Sequence, residues 1–315
     1  MKRLFIVSLV SVIATSVFAL KRNQAYRDAR KFGALAKIQI HIVDDLGSEV
    51  PSAEVRVFMG MNFRPNGYYL NGVTDTNGIY IVEGKTCGDE IIIDVTKQGY
   101  YASTKKLSFA EMGDEHDVQD GRWQPFGGEE RIPLRRTIHP ENLIVFEKII
   151  DVPQTNAWLG FDMEKMDFIN PFGVGVFSDF ELKADWDGLP AWKSKHCGAE
   201  IRFSGTKTGG YYVDNVIESR FPYAYTARID SSFKEKSIRI VERNGDSHST
   251  KVPFAKDVSL VTRTRSIVDE QGKLKMTNYG CIKRFEIGPS RRGVALLRLS
   301  YIFNPTPNDT NLEPK

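Results

Sequence analysis

From Ala36 the chain settles into a period of two. Ile38, Ile40 and Ile42 alternate with Lys37, Gln39 and His41. In an extended chain this puts every isoleucine on one face and every polar residue on the other, the pattern of a half-buried strand. Val55, Val57 and Met59 repeat it against Glu54 and Arg56 after a turn at Asp44-Asp45-Leu46-Gly47. Further short strands are expected at 67–74, 79–82, 91–95, 100–107 and 130–137, between turns containing Gly, Asn and Asp. Seven short strands in about a hundred residues, with no convincing helix among them, predict a β-sandwich.

The residues at those turns resemble a known module. Val43-Asp44, Gly47 and Val50-Pro51-Ser52-Ala53-Glu54-Val55-Arg56-Val57 come first. Gly72-Val73-Thr74-Asp75-Thr76-Asn77-Gly78-Ile79-Tyr80-Ile81 and Lys97-Gln98-Gly99-Tyr100 follow. Together they resemble the carboxypeptidase regulatory-like module, over about 36–137. The resemblance implies a transthyretin-like or Ig-like β-sandwich that accompanies another domain and contributes no catalytic residue. Asp75 and Asn77 can bond the local backbone and Gly78 can take positive φ, so the chain reverses tightly there. Between Phe58 and Gly72 the sequence departs from the family with an aromatic insert that includes Phe63, Tyr68 and Tyr69. Such residues on a rigid sandwich either present a binding surface or cover the next domain.

Residues 140–305 also read as β. Val174, Val176, Phe180 and Leu182 are expected on one face of a strand, Ile201 and Phe203 on another, Ile238 and Ile240 before an Asn244-Gly245 hairpin, and Leu297 to Phe303 in a closing strand. Long strands with short turns predict a second antiparallel β-sandwich or jelly roll, so the whole chain is all-β. The segment Tyr301 to Asp309, with Trp123-Gln124-Pro125 and Gly160-Phe161-Asp162, resembles a group of exported bacterial proteins; this implies the two-part architecture and no chemistry. Residues 306–315 are expected to form a tail.

The first nineteen residues carry an address. Lys2 and Arg3 precede an uncharged run from Leu4 to Ala19 that ends in Val17-Phe18-Ala19, the form of a cleavable secretory signal. An uncleaved anchor is the alternative; the run is short of the roughly 20 residues that span a bilayer. The expected localisation is therefore exported, periplasmic or extracellular, with no transmembrane span once the signal is removed. Residues 20–35 form a basic leader at helical spacing, either frayed against its domain or touching an anionic membrane surface. Net charge is +3 over 315 residues, so no overall field argues for nucleic acid as a partner.

Sites of chemistry are sparse. No nucleophile elbow, phosphate loop, dinucleotide fingerprint or His-Glu-x-x-His occurs. His196-Cys197 would point to opposite faces of a strand, so no metal and no cofactor are expected. Cys197 and Cys281 form either one disulfide or two buried thiols. Asp179 and Glu181, two apart on the expected strand, have the separation of a glycosidase acid/base pair. The residues therefore predict a non-catalytic exported binding or structural protein of the cell envelope, its partner an envelope protein or a glycan. Its contact surface would combine Phe63, Tyr68 and Tyr69 with Trp186 and Trp192 near Asp179. The alternative is a carbohydrate-active hydrolase using Asp179 and Glu181.

Overall fold

The structure is a computed structural model and describes residues 24–61, 67–88, 90–109, 118–189, 193–194, 196–230, 233–244, 257–290 and 294–315. The expected signal at 1–19, Phe63, Trp192 and Gly245 lie outside the described residues. The fold is all-β apart from short helical segments, the longest at 24–32. Two compact units divide it: residues 1–137 with 218–221, and residues 138–217 with 222–315. Among the described residues no helix is long and apolar enough to cross a membrane.

Among the described residues the first unit has nine strands: β1 (Ala34–Val43), β2 (Glu54–Met59), β3 (Tyr68–Val73), β4 (Ile79–Thr86), β5 (Glu90–Thr96), β6 (Ser103–Ser108), β7 (Val118–Gln119), β8 (Arg122–Trp123) and β9 (Gly128–Pro133). One sheet runs β3-β2-β5-β6. The other centres on β1, which pairs antiparallel with β4 from Ala34↔Thr86 to His41↔Ile79 and parallel with β9 from Ile38↔Gly128. Their inner faces share one core. Ile38, Ile40, Ile42, Val82 and Ile132 meet Val55, Val57, Ile91, Ile93 and Val95, all buried. Each such side chain stabilises the fold by about 1.5–3 kcal/mol, which is why the period-two pattern fixes both strands and faces. The helix at 24–32 docks on this core through Ala29, and Tyr26 meets Trp123 edge to face at 5.9 Å.

At the reversal between β3 and β4, Asp75 Oδ1 accepts the Asn77 and Ile79 N–H groups at 2.9 and 2.8 Å. Gly78 has φ +71°, and a Cβ there would sit 2.7 Å from the Ile42 carbonyl oxygen. Only glycine satisfies both conditions. The sheet gains one further rung from a distant part of the chain: Thr104 N–H donates to Glu218 O, Arg220 N–H donates to Ala102 O, and Ser103 bridges Ser219.

The second unit holds β10 (Ile144–Asp151), β11 (Leu159–Asp162), β12 (Asp167–Phe168), β13 (Phe180–Trp186), β14 (His196–Arg202), β15 (Gly209–Asp214), β16 (Ser237–Asn244), β17 (Val258–Val268), β18 (Leu274–Pro289) and β19 (Ala295–Asn304). They form sheets β10-β19-β18-β17-β15 and β12-β11-β13-β14-β16 over a second core. Its centre is aromatic: Phe161 stacks on Phe180 at 5.2 Å and Phe146 on Tyr301 at 5.0 Å. The expected strand through 174–182 begins only at Phe180. Val174 and Val176 belong to a loop and are 74% and 69% exposed. The expected tail is also part of this unit, with Leu312 fully buried.

Candidate functional site

Asp179 and Glu181 do not form a pair. Asp179 precedes β13 in a bend, so strand alternation does not reach it, and its side chain turns into the protein with 2% exposure. It accepts hydrogen bonds from Met163 N–H, the Thr264 hydroxyl and Arg265 Nε and Nη2 at 2.8–2.9 Å. Glu181 lies within β13 and binds Arg202 Nε at 2.6 Å. The two carboxylates serve separate ion pairs, so the expected acid/base pair is not assembled.

The other expected site residues are dispersed. Trp186 is buried, and its indole N–H donates to Leu189 O, so it offers no contact surface. Tyr68 turns toward β4, donating its hydroxyl to Lys85 O at 2.7 Å, while Tyr69 lies on the outer face of the first sandwich. Cys87, Cys197 and Cys281 are buried thiols, none of them in a disulfide. Cys197 packs among the core residues of the second unit. Cys281 alternates on β18 with the core residue Ile282 and so faces away from that core; no bridge joins the two. Burial pushes the Cys281 thiol up to about 11. His196 pairs with Asp185 at 3.0 Å on the wet side of β14. Among the described residues no group of three or more His, Cys, Asp or Glu is placed to hold a metal.

Two arrangements remain that sequence reading missed. The first is the charge cluster around Arg265 on β17. Its guanidinium meets Asp162 at 2.7 Å, Asp179 at 2.8 Å and the Glu164 carboxylate. Asp162 also accepts N–H groups from Glu164, Lys165, Val176 and Phe177. Burial would raise the Asp162 carboxyl, but the N–H donors of Phe177, Lys165 and Val176 together with Arg265 hold it below 3.8. Asp179 goes the other way: burial raises it despite Arg265, Thr264 and Met163. The hydrogen bonds and ion pairs of this cluster are spent on fixing the chain. In the first unit Asp44 is likewise opposed by burial, yet N–H groups of Ser48 and Leu46 and the Arg136 guanidinium hold it low.

These directions set an acid limit. Asp162 and Asp44 have folded values below 3.8, so their stabilisation is complete above that value and is lost as pH falls through the folded ones. Asp179, with its raised value, offsets part of this loss. The melting temperature is therefore expected to stay level from about pH 7 to 5 and to drop below about pH 4. Calorimetry across that range checks it, and a melting temperature unchanged at about pH 3 would contradict it.

The second arrangement is a trough on the outer face of sheet β3-β2-β5-β6, opposite the core side chains Val55 and Val57. The register sets Asn71, Arg56, Asp94 and Thr104 in one row across four strands, about 14 Å at ordinary strand spacing. Glu54 and Thr96 form the next row, and Arg220 reaches the same space from the rung at 218–221. The cavity is about 490 Å³. A second recess of about 610 Å³ shares Glu54, Thr96 and Ala102 with it and continues to Lys97 and Tyr100.

Charge in this trough is left open. Arg56 and Asp94 face each other across the strands, where opposite charges usually pair. Instead Asp94 accepts the Thr104 hydroxyl at 2.7 Å, and the Arg56 guanidinium lies 3.6 Å from the centre of the Tyr69 ring. Stacked in this way, the guanidinium keeps its N–H edge available while the ring restricts its motion. Among the described residues neither Arg56 nor Arg220 has a carboxylate within ion-pair distance. The alternation Glu54-Val55-Arg56 marks this face as wet, but only the strand register brings Asp94, Thr104 and Arg220 to it.

No family model and no curated protein sequence matches the chain. Among solved structures it is similar to catechol 1,2-dioxygenase of Acinetobacter radioresistens, at 13% identity over 35% of this chain and 54% of that one, TM-score 0.27. It is similar also to 3-chlorocatechol 1,2-dioxygenase of Rhodococcus opacus 1CP, at 12% over 34% and 62%, TM-score 0.27. Hydroxyquinol 1,2-dioxygenase of Pseudomonas putida DLL-E4 gives 10% over 33% and 57%, TM-score 0.25. The chain spans little more than half the length of these proteins. Because these matches are enzymes, the expectation of a non-catalytic envelope protein is corrected and set aside. Likeness of this size transfers no dioxygenase activity to the chain.

Proposed function

We propose that the trough on the first sandwich recognises an acidic saccharide, a glycan whose units carry carboxylates. The single observation behind this reading is that Arg56 and Asp94 stand opposite each other without pairing. An acidic sugar complements the trough: its carboxylate suits the Arg56 and Arg220 guanidiniums, which bind such groups through paired N–H donors. Its hydroxyls suit the acceptors Asp94 and Glu54 and the Asn71 amide. Tyr69 and Phe58, 5.2 Å apart at the border of the row, add flat apolar surface. The resemblance to the carboxypeptidase regulatory-like module belongs to the same proposal, as does export to the periplasm or the cell exterior, where such glycans are met. A mature N-terminus at Leu20, read by mass spectrometry, would support that address.

The test is titration calorimetry of the full chain with a short uronic-acid oligosaccharide and with its neutral counterpart. The oligosaccharide is weighed afterwards so that any conversion is seen alongside binding. The acidic ligand is expected to bind and the neutral one to bind at least tenfold more weakly. Arg56→Ala and Arg220→Ala should each weaken binding by about tenfold or more, the usual effect of losing a charge-assisted hydrogen bond. Equal affinity for the two oligosaccharides, or unchanged affinity in both variants, would overturn the reading.

A further inference from the structure

The loop from Met166 to Ser178 in the second unit is apolar, exposed and tightly built. Asp167 Oδ2 accepts Val174 N–H at 3.0 Å, Asp162 Oδ2 accepts Val176 and Phe177 N–H at 2.9 and 3.0 Å, and Gly175 N–H donates to Phe168 O at 2.9 Å. A Cβ on Gly175 would come within 2.9 Å of Asp162 Cβ and the Phe168 carbonyl oxygen, so the close approach depends on glycine. The backbone is therefore held at several points while the side chains face solvent. Val174, Val176 and Phe177 are 74%, 69% and 58% exposed, Phe172 just upstream is 40% exposed, and Met166 at the start of the loop is 43% exposed. From Phe168 to Ser178 the loop carries no charge, and the acids beneath it are occupied by backbone N–H groups and Arg265.

We infer that this loop is the contact surface between two copies of the chain. Five apolar side chains at these exposures present roughly 500 Å², as large as the biggest such patches on ordinary monomers. A two-fold axis through the patch would bury about 1,000 Å² in total, the lower bound for a specific interface. The same patch must meet itself across such an axis, and an uncharged surface meets itself without repulsion. A lipid surface fits less well. Segments that lie in the headgroup region carry Trp or Tyr and several bases; this loop has neither aromatic, and Lys165 is its one flanking base.

Sedimentation velocity of the full chain, up to about 100 µM, tests the inference, since an interface of this size gives a micromolar dimer. The native chain is expected to move from monomer to dimer over that range. The double variant Val174→Asp, Val176→Asp should weaken association at least tenfold at an unchanged melting temperature, because both positions are exposed. A native chain that stays monomeric, or a variant that associates equally well, overturns the inference. So does a native chain that stays monomeric but pellets with anionic phospholipid vesicles, which would assign the loop to lipid.

Discussion

Replacing Arg265 with Met is expected to bring the second unit close to unfolding. Its guanidinium bridges Asp162, Glu164 and Asp179, and the first and last of these carboxylates are almost fully buried. Methionine fills much of the same volume and removes the cation that joins them. Two buried acids are then left with neutral N–H and hydroxyl donors and no positive charge from Arg265, and removing one partner of a buried ion pair costs about 3–5 kcal/mol. Against a typical total of about 5–15 kcal/mol, that is a large share. The substitution also leaves a non-glycine residue at φ +51°, so the strain at this position persists while the bonds that held it are gone. Urea unfolding would read the loss. Adding Asp179→Asn should recover part of it, since neutralising one acid relieves the other. A loss below about 1 kcal/mol for Arg265→Met would show that the cluster is not the fastening described here.

The second large effect is expected at the C-terminus. Deleting residues 309–315 should cost at least about 4 kcal/mol, the sum of a buried leucine and two charge-assisted hydrogen bonds. Leu312 is fully buried, and the Glu313 carboxylate accepts the N–H groups of Ile138 and His139 at 2.9 and 2.6 Å. The Asn311 amide donates to His139 O at 2.7 Å, and Ala227 N–H donates to Thr310 O. Glu313→Ala alone should cost about 2–4 kcal/mol, because two charge-assisted hydrogen bonds to a buried carboxylate are lost. Thermal melts of the truncated and substituted chains decide this. Native-like melting of the truncated chain would mean that the segment is the loose tail its composition suggests.

That segment also shows where legibility in the sequence ends. The strands of the first unit are readable because burial of alternate side chains is written directly into their spacing, as at Ile38, Ile40 and Ile42. Asp75 and Gly78 are readable for a local reason, since the turn needs an acceptor and a positive φ within four residues. Glu313 is not readable, because the N–H groups it caps lie 174 and 175 positions upstream. Pro305, Pro307 and Asn308 look like the end of ordered chain when seen alone. Arg265 is hidden in the same way, its partners lying 86 to 103 positions away. Asp179 is hidden for a different reason: the alternation of β13 starts only at Phe180, and Gly173 and Gly175 signal a loop upstream of it. The trough is half legible. Glu54 and Arg56 declare a wet face, whereas the row through Asn71, Asp94 and Thr104 exists only once four strands are in register.

The rung at 218–221 has a consequence for how this chain divides into modules. These residues complete the edge of β6 although eighty positions of the second unit's chain, 138–217, precede them. A fragment that stops at Thr137 would thus present β6 with its N–H and C=O groups bare, and a bare edge pairs with whatever strand it meets. It would also lack Arg220, and with it one wall of the trough. The first unit is a set of contacts rather than a stretch of sequence, and no single cut releases it whole.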